Sequence, residues 1–269
     1  MSSPQEAEGQ DDWALSAAEL PEDAFRAGRV GPFLLGPSVR RTAFGEVIVG
    51  VHRESREVVE IDLYDALLGT PFASPESPLM SDLAQVSSLR HRHIVSIVGA
   101  GFDEGVPYVV RPHRLGRTLA QLIDLGPVPG DFAAAVAHAV ADGLDFLAEQ
   151  GEGCAMGGLD ARDVFLGYDG TVALVGLGLR RVRGLEGDPR QADLQAAFAL
   201  ARHLSRWSDA QLPAVIAGVS TTRELSRALR RRFAGACAAL PRLVGGTLRR
   251  AFPQAIRDER AFFGLAPLQ

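Results

Sequence analysis

The residues of this chain that could do chemistry are acids and arginines. Asp62, Asp82, Asp160 and Asp163 are candidates for an acidic cleft that binds a cation or a cationic small molecule. Carboxylates held close together shift one another's pKa values and can serve acid–base work. All 28 basic residues are Arg, so no Lys can anchor a phosphate and no Schiff base can form. Cys154 and Cys237 make no metal or disulfide pattern, which points to a reducing cytoplasm. His91 and His93 read as structural rather than as metal ligands. His138 and Asp142 are spaced as helical neighbours and read as a capped or solvated pair.

Charge is spread unevenly over a net −5. Residues 1–26 hold seven acids and one base, whereas residues 221–260 hold ten Arg against Glu224, Asp258 and Glu259. An acidic tail and a basic end can meet each other or separate partners. The Arg-rich end lacks interleaved aromatics and reads as a solvated helix face, so no nucleic-acid partner is expected. The start lacks the basic and apolar regions of a signal peptide, and no apolar run reaches membrane-spanning length.

Periodicity supplies the elements that must position these residues. Residues 33–36 and 44–50 read as strand, turn, strand, and residues 58–63, which carry Glu60 and Asp62, as a third strand. Residues 78–89 have helical spacing in Leu79, Leu83, Val86 and Leu89. Residues 94–100 and 108–111 predict a hairpin around an Asp-Glu-Gly turn. Residues 132–150 predict a long Ala-rich helix, and residues 192–206 and 220–230 two more, the last opened by a capping box. Within 156–181, a loop precedes two short apolar runs joined by Tyr168-Asp169-Gly170, a second hairpin. Residues 234–250 predict a helix broken near Gly245 and Gly246. The apolar residues beyond it either patch the core or bind a partner. Residues 1–27 predict a disordered acidic tail, with a helical turn at most near Trp13 and Leu15.

Several of these segments resemble a bacterial serine/threonine protein kinase. Residues 89–95, LRHRHIV, are similar to the LRHPHIV that follows the small-lobe helix there, and residues 44–47, FGEV, to the end of the glycine-rich loop. Residues 102–110 are similar too, and Gly116-Arg117-Thr118-Leu119 resembles the step into the large lobe. Residues 156–178 keep the spacing of the catalytic loop and the magnesium-binding DFG. The resemblance covers about 30–232.

It implies an α+β, two-lobed protein-kinase-like fold with a small β-rich N-lobe and a shortened helical C-lobe. The expected divisions are a tail at 1–27, N-lobe at 28–111, C-lobe at 112–232 and a helical extension at 233–269. It also implies degeneracy. Asp62 takes the place of the strand Lys and Glu60 that of the small Ala beside it. Arg40 and Thr42 stand for the first two loop glycines. Asp82 replaces the helix Glu, so that an ion pair with residue 62 becomes a like-charge pair. Gly158 replaces the general base, Asp160 the loop Lys, Asp163 the metal-binding Asn and Gly176 the main magnesium ligand. A lone Asp163 could hold a cation but is a poor magnesium site. Arg111 falls at the gatekeeper position and either pairs with Glu60, Asp62 or Asp82 or points to solvent.

Arg40, Thr42, Glu60, Arg111 and Phe165 are therefore expected to block the cleft, with charges filling it in place of ATP. The packing positions stay apolar at Val86, Ile97, Met156 and Leu177, and Asp193 resembles the acid that anchors the catalytic loop. The segment 180–190 is short and no A-P-E follows it. The expectation is a catalytically inactive, cytoplasmic, kinase-like scaffold or regulator with a protein partner. No cofactor, metal, ATP, nucleic acid or membrane binding is expected. The alternative is an acidic-cleft sensor or a non-standard enzyme.

Overall fold

The computed structural model describes residue 25, residues 28–184 and residues 187–265. Strands β1 (Gly28–Val30), β2 (Phe33–Arg41), β3 (Glu46–His52), β4 (Val58–Leu63), β5 (Gly99–Asp103) and β6 (Val106–Pro112) form one antiparallel sheet. Their order is β1-β2-β3-β4-β6-β5. Helix α1 (Pro78–Ser87) packs beside this sheet, with Leu79, Leu83 and Val86 buried at helical spacing. Pro78, with φ pre-set and no N–H to satisfy, opens the helix.

The strand expected from residue 94 begins five residues later. The backbone of 93–95 is drawn to another partner: Val95 N–H donates to Leu174, and Leu174 N–H donates to His93. Leu174 ends strand β9 of a second sheet, β7 (Gly116–Thr118), β8 (Val164–Gly167) and β9 (Val172–Leu174). That bridge ties the two layers together.

The second layer is helical: α2 (Leu119–Ile123), α3 (Gly130–Glu149), α4 (Pro189–Arg206), α5 (Leu212–Ile216), α6 (Thr222–Arg232), α7 (Ala234–Ala238), α8 (Leu240–Ala251) and α9 (Pro253–Phe262). Alanines let α3 be approached from every side, and α4, α6, α7, α8 and β9 all pack on it. Thr221 caps α6 through the Glu224 N–H, while Glu224 accepts from the Ser220 N–H and hydroxyl.

The break in the following helix falls at Ala239, not at Gly245 and Gly246. Pro241 cannot donate within a helix interior and starts α8 instead. Gly245 and Gly246 lie inside α8, and a side chain at Gly245 would come within 3.0 Å of the Tyr168 carbonyl in the β8–β9 turn. The glycine permits close approach rather than a break.

The C-terminal extension is part of the core, not an appendage. Val244, Leu248 and Ile256 join the main buried cluster, each burial contributing roughly 1.5–3 kcal/mol. Phe263 then crosses to the sheet and packs with Phe25, Val49, Val51 and Val58. Phe25, assigned from sequence to the solvated tail, is buried there. Trp13 and Leu15 lie outside the described residues.

Candidate functional site

The cleft between the two layers collects most of the residues singled out above. Its roof is set by strand register. In the β4–β6 pair Glu60 lies opposite Arg111, with Asp62 one diagonal step away on the same face. Arg111 uses that diagonal: Nη2 donates to both Asp62 oxygens at 2.5 Å, and both side chains are almost wholly buried. The Tyr64 hydroxyl also donates to Asp62, at 3.3 Å. Burial and the neighbouring Asp62 carboxylate both push the Tyr64 phenol upward.

Glu60 is served less well. Arg40 Nη1 stands 3.5 Å from Oε2 and His113 Nδ1 3.4 Å from Oε1. Burial by itself raises the Glu60 pKa, but His113, Arg40 and Arg111 together outweigh it and hold the carboxyl at about 2. Because the folded value lies below the ordinary 4.5, the associated stability is fully present above pH 4.5 and is lost as pH falls toward 2. It amounts to roughly 3 kcal/mol. Glu60→Gln is expected to flatten this part of the acid limb in denaturation curves taken between those limits; an unchanged acid limb contradicts it.

The floor is built by the segment after α3. Asp160 caps a 3-10 turn, Ala161–Asp163, by accepting from the Arg162 N–H at 2.6 Å, and Asp163 returns an oxygen to the Asp160 N–H at 2.9 Å. The other Asp163 oxygen takes Arg183 Nη2 at 2.7 Å, and Arg183 Nη1 donates to the Gly158 carbonyl. The guanidinium also crowds Gly176. A Cβ there would lie 3.1 Å from Arg183 Nη2 and 3.0 Å from Asp163 Oδ1, at a φ of +80° that suits glycine.

Beneath the floor, Asp193 on α4 accepts from the Met156 N–H at 2.9 Å and the Gly158 N–H at 2.7 Å. Burial raises its pKa to about 6 in spite of those donors. Val86, Ile97, Met156 and Leu177 all lie in the main buried cluster.

The four acids do not assemble an acidic cleft, because each has its own arginine. Asp62 has Arg111, Asp160 has Arg162 and Asp163 has Arg183. Asp82 is approached by Arg180 and Arg181, at 3.5 and 3.2 Å, so no like-charge pair with Asp62 needs relief. Nor do side chains fill the cleft. They pair laterally along the sheet and loops instead of reaching across, which leaves two cavities. One, of about 420 Å³, is lined by Arg40, Val49, Glu60, His113, Phe165 and Phe263 among others. The other, of about 600 Å³, is lined by Arg40, Thr42, Asp62, Arg111, Asp163, Gly176 and Arg183 among others.

Outside the cleft, the histidines play structural parts. His91 stacks on Phe146, His93 Nδ1 bonds the Val172 carbonyl at 2.7 Å, and Asp142 pairs with Arg92 rather than being solvated. Among the described residues no group of His, Cys, Asp and Glu could hold a metal ion, and no helix is long and apolar enough to cross a membrane. The magnesium nucleotide that the kinase resemblance brings with it does not fit these residues. Gly176 offers no ligand, and the Asp163 carboxylate is already bonded to a guanidinium.

Sequence reasoning missed Arg183, His113 and the Arg117–Glu259 ion pair, and it placed Phe263 among apolar residues that patch the core without saying where. Only Arg183 had a signal. Asp163 had no cation assigned to it, and a short Arg-rich segment follows the hairpin. The other contacts join parts of the chain far apart in sequence.

No protein-family profile matches the chain, and no curated protein matches it in sequence. Solved structures do. The Mycobacterium tuberculosis PknI kinase domain superposes with a TM-score of 0.63 at 17% identity, over 76% of this chain and 98% of that one. A second crystal structure of that domain gives 0.62 at 18% identity, over 76% and 96%. A doubly substituted form gives 0.56 at 20% identity, over 80% and 97%. Identities this low speak to the fold alone.

Proposed function

Starting from a bacterial serine/threonine protein-kinase-like fold, we propose that this chain does not transfer phosphoryl groups and works as a protein-binding scaffold or regulator. The observation that carries the reading is the place of Arg183. Its guanidinium joins the Asp163 carboxylate to the Gly158 carbonyl and abuts Gly176. By the resemblance, these three positions would hold the metal-binding Asn, the general base and the main magnesium ligand. A fixed organic cation takes over the charge neutralisation that magnesium supplies in phosphoryl transfer, but it cannot bridge phosphate oxygens as a metal does. Gly158 has no side chain to orient a hydroxyl, and Asp62 is spent on Arg111. What the chain keeps is a rigid frame whose loop is pinned by Asp193, and a frame of this kind serves binding.

A ligand that binds only the folded state raises the melting temperature. Millimolar ATP or ADP, with magnesium or manganese, is therefore expected to leave Tm unchanged, and labelled ATP to transfer no phosphate to the chain or to a generic protein substrate. A metal-dependent rise in Tm, or transfer abolished by Asp163→Ala, overturns the reading.

A further inference from the structure

The smaller cavity has a polar end that the protein itself leaves incomplete. Glu60 is 7% exposed, yet its partners Arg40 and His113 stand 3.5 and 3.4 Å away, longer than the 2.7–2.9 Å of a good charge-assisted bond. Beside it His113 is 6% exposed, and apart from the long Nδ1 contact to Glu60 its ring nitrogens have no partner. Buried polar groups are nearly always well bonded, so a carboxylate held only by long contacts and an imidazole beside it, both lining one cavity of about 420 Å³, mark a place where a ligand supplies a closer donor.

The remaining walls select the rest of the ligand. Val49 and Phe165 are buried and apolar, and the end of α9 closes one side with Phe262 and the following Phe263, the latter ring 4.7 Å from His113. The other charges at the rim are engaged. Arg117 is paired with Glu259, Asp258 accepts from Gln254, and Arg114 has a partner of its own. Arg40 can give way, because it lines both cavities and its contact with Glu60 is long. A phosphate or carboxylate placed here would face the Glu60 carboxylate, whereas a cation takes the place that Arg40 vacates.

We propose that this cavity binds a small organic cation with a flat apolar body, an aryl amidine or aryl amine, whose charged head bonds Glu60 while its body lies between Phe165 and Phe263. The head displaces Arg40 toward the larger cavity. The interaction neither requires nor excludes phosphoryl transfer, so the nucleotide titration above is decided separately.

The test is calorimetry and thermal shift on the full chain with 2-naphthamidine, against the neutral isostere 2-naphthamide and the anion 2-naphthoate. The amidine is expected to bind and raise Tm, and the amide and carboxylate to bind at least about tenfold more weakly, the loss of one charge-assisted bond. Glu60→Gln is expected to remove that preference, and Phe263→Ala to weaken amidine binding while keeping it. Equal binding of amidine and amide, or no binding of the amidine, overturns the proposal. Because that comparison uses the unaltered protein, it decides the matter even where Glu60→Gln fails to fold. A folded Glu60→Gln with undiminished amidine affinity overturns it as well.

Discussion

Replacing Arg111 with Ala is expected to destabilise the fold by about 3–5 kcal/mol in chemical denaturation, the usual result of removing one partner of a buried ion pair. Asp62 is 4% exposed and would be left with one neutral donor, the Tyr64 hydroxyl at 3.3 Å. The cost is that of an uncompensated buried carboxylate, not the net worth of the pair. Two consequences separate these. Asp62→Ala should cost a similar amount, because it strands the Arg111 guanidinium. The double variant Arg111→Met with Asp62→Leu should recover most of the loss, since an apolar pair of similar volume avoids desolvating two charges. A loss under about 1 kcal/mol for either single variant would mean that water reaches the pair, contrary to its burial.

Asp193→Ala is expected to cost about 2–5 kcal/mol, because the buried N–H groups of Met156 and Gly158 both lose their acceptor. The same side chain gives a pH signature. Its folded value of about 6 lies above the ordinary 3.8, so the folded state holds the proton more tightly than the unfolded chain. Stability from this group is therefore fully present below pH 3.8 and is lost as pH rises through about 6. The change is roughly 3 kcal/mol. Asp193→Asn keeps one oxygen for the loop and carries no charge, so it should damage the fold less than Ala and abolish the slope between those pH values. Denaturation midpoints taken across that range for the three proteins decide it. A slope retained in Asp193→Asn would assign it to another group.

The two acids oppose each other across the acid range. Glu60 favours the folded state as pH rises to 4.5, whereas Asp193 begins to oppose it from about 4 upward. Maximum stability is thus expected on the acid side of neutrality.

The amino-acid sequence by itself determined the local elements and the kind of fold. Alternating apolar residues in 58–63, helical spacing through Leu79, Leu83 and Val86, and the LRHRHIV segment each report on a few neighbouring residues, and neighbours are what periodicity and propensity encode. Composition settled as much again: with no Lys in the chain, every positive side chain in the cleft is a guanidinium.

Partnership was another matter. That Asp62 would be met by Arg111 rather than face Asp82 depended on the β4–β6 register, which places residues 49 positions apart on one diagonal. Arg183 reaches Asp163 only because the segment after β9 folds back over the loop. The glycines at 245 and 246 looked like a helix break, and only the approach of the β8–β9 turn explains Gly245 as space. The return of Phe263 to the sheet, beside Phe25 and His113, joins both ends of the described chain. Charge pairing and cavity shape arise from contacts whose two halves are distant in sequence, so packing in three dimensions decided which acids were paired closely and which one, Glu60, is held only by long contacts.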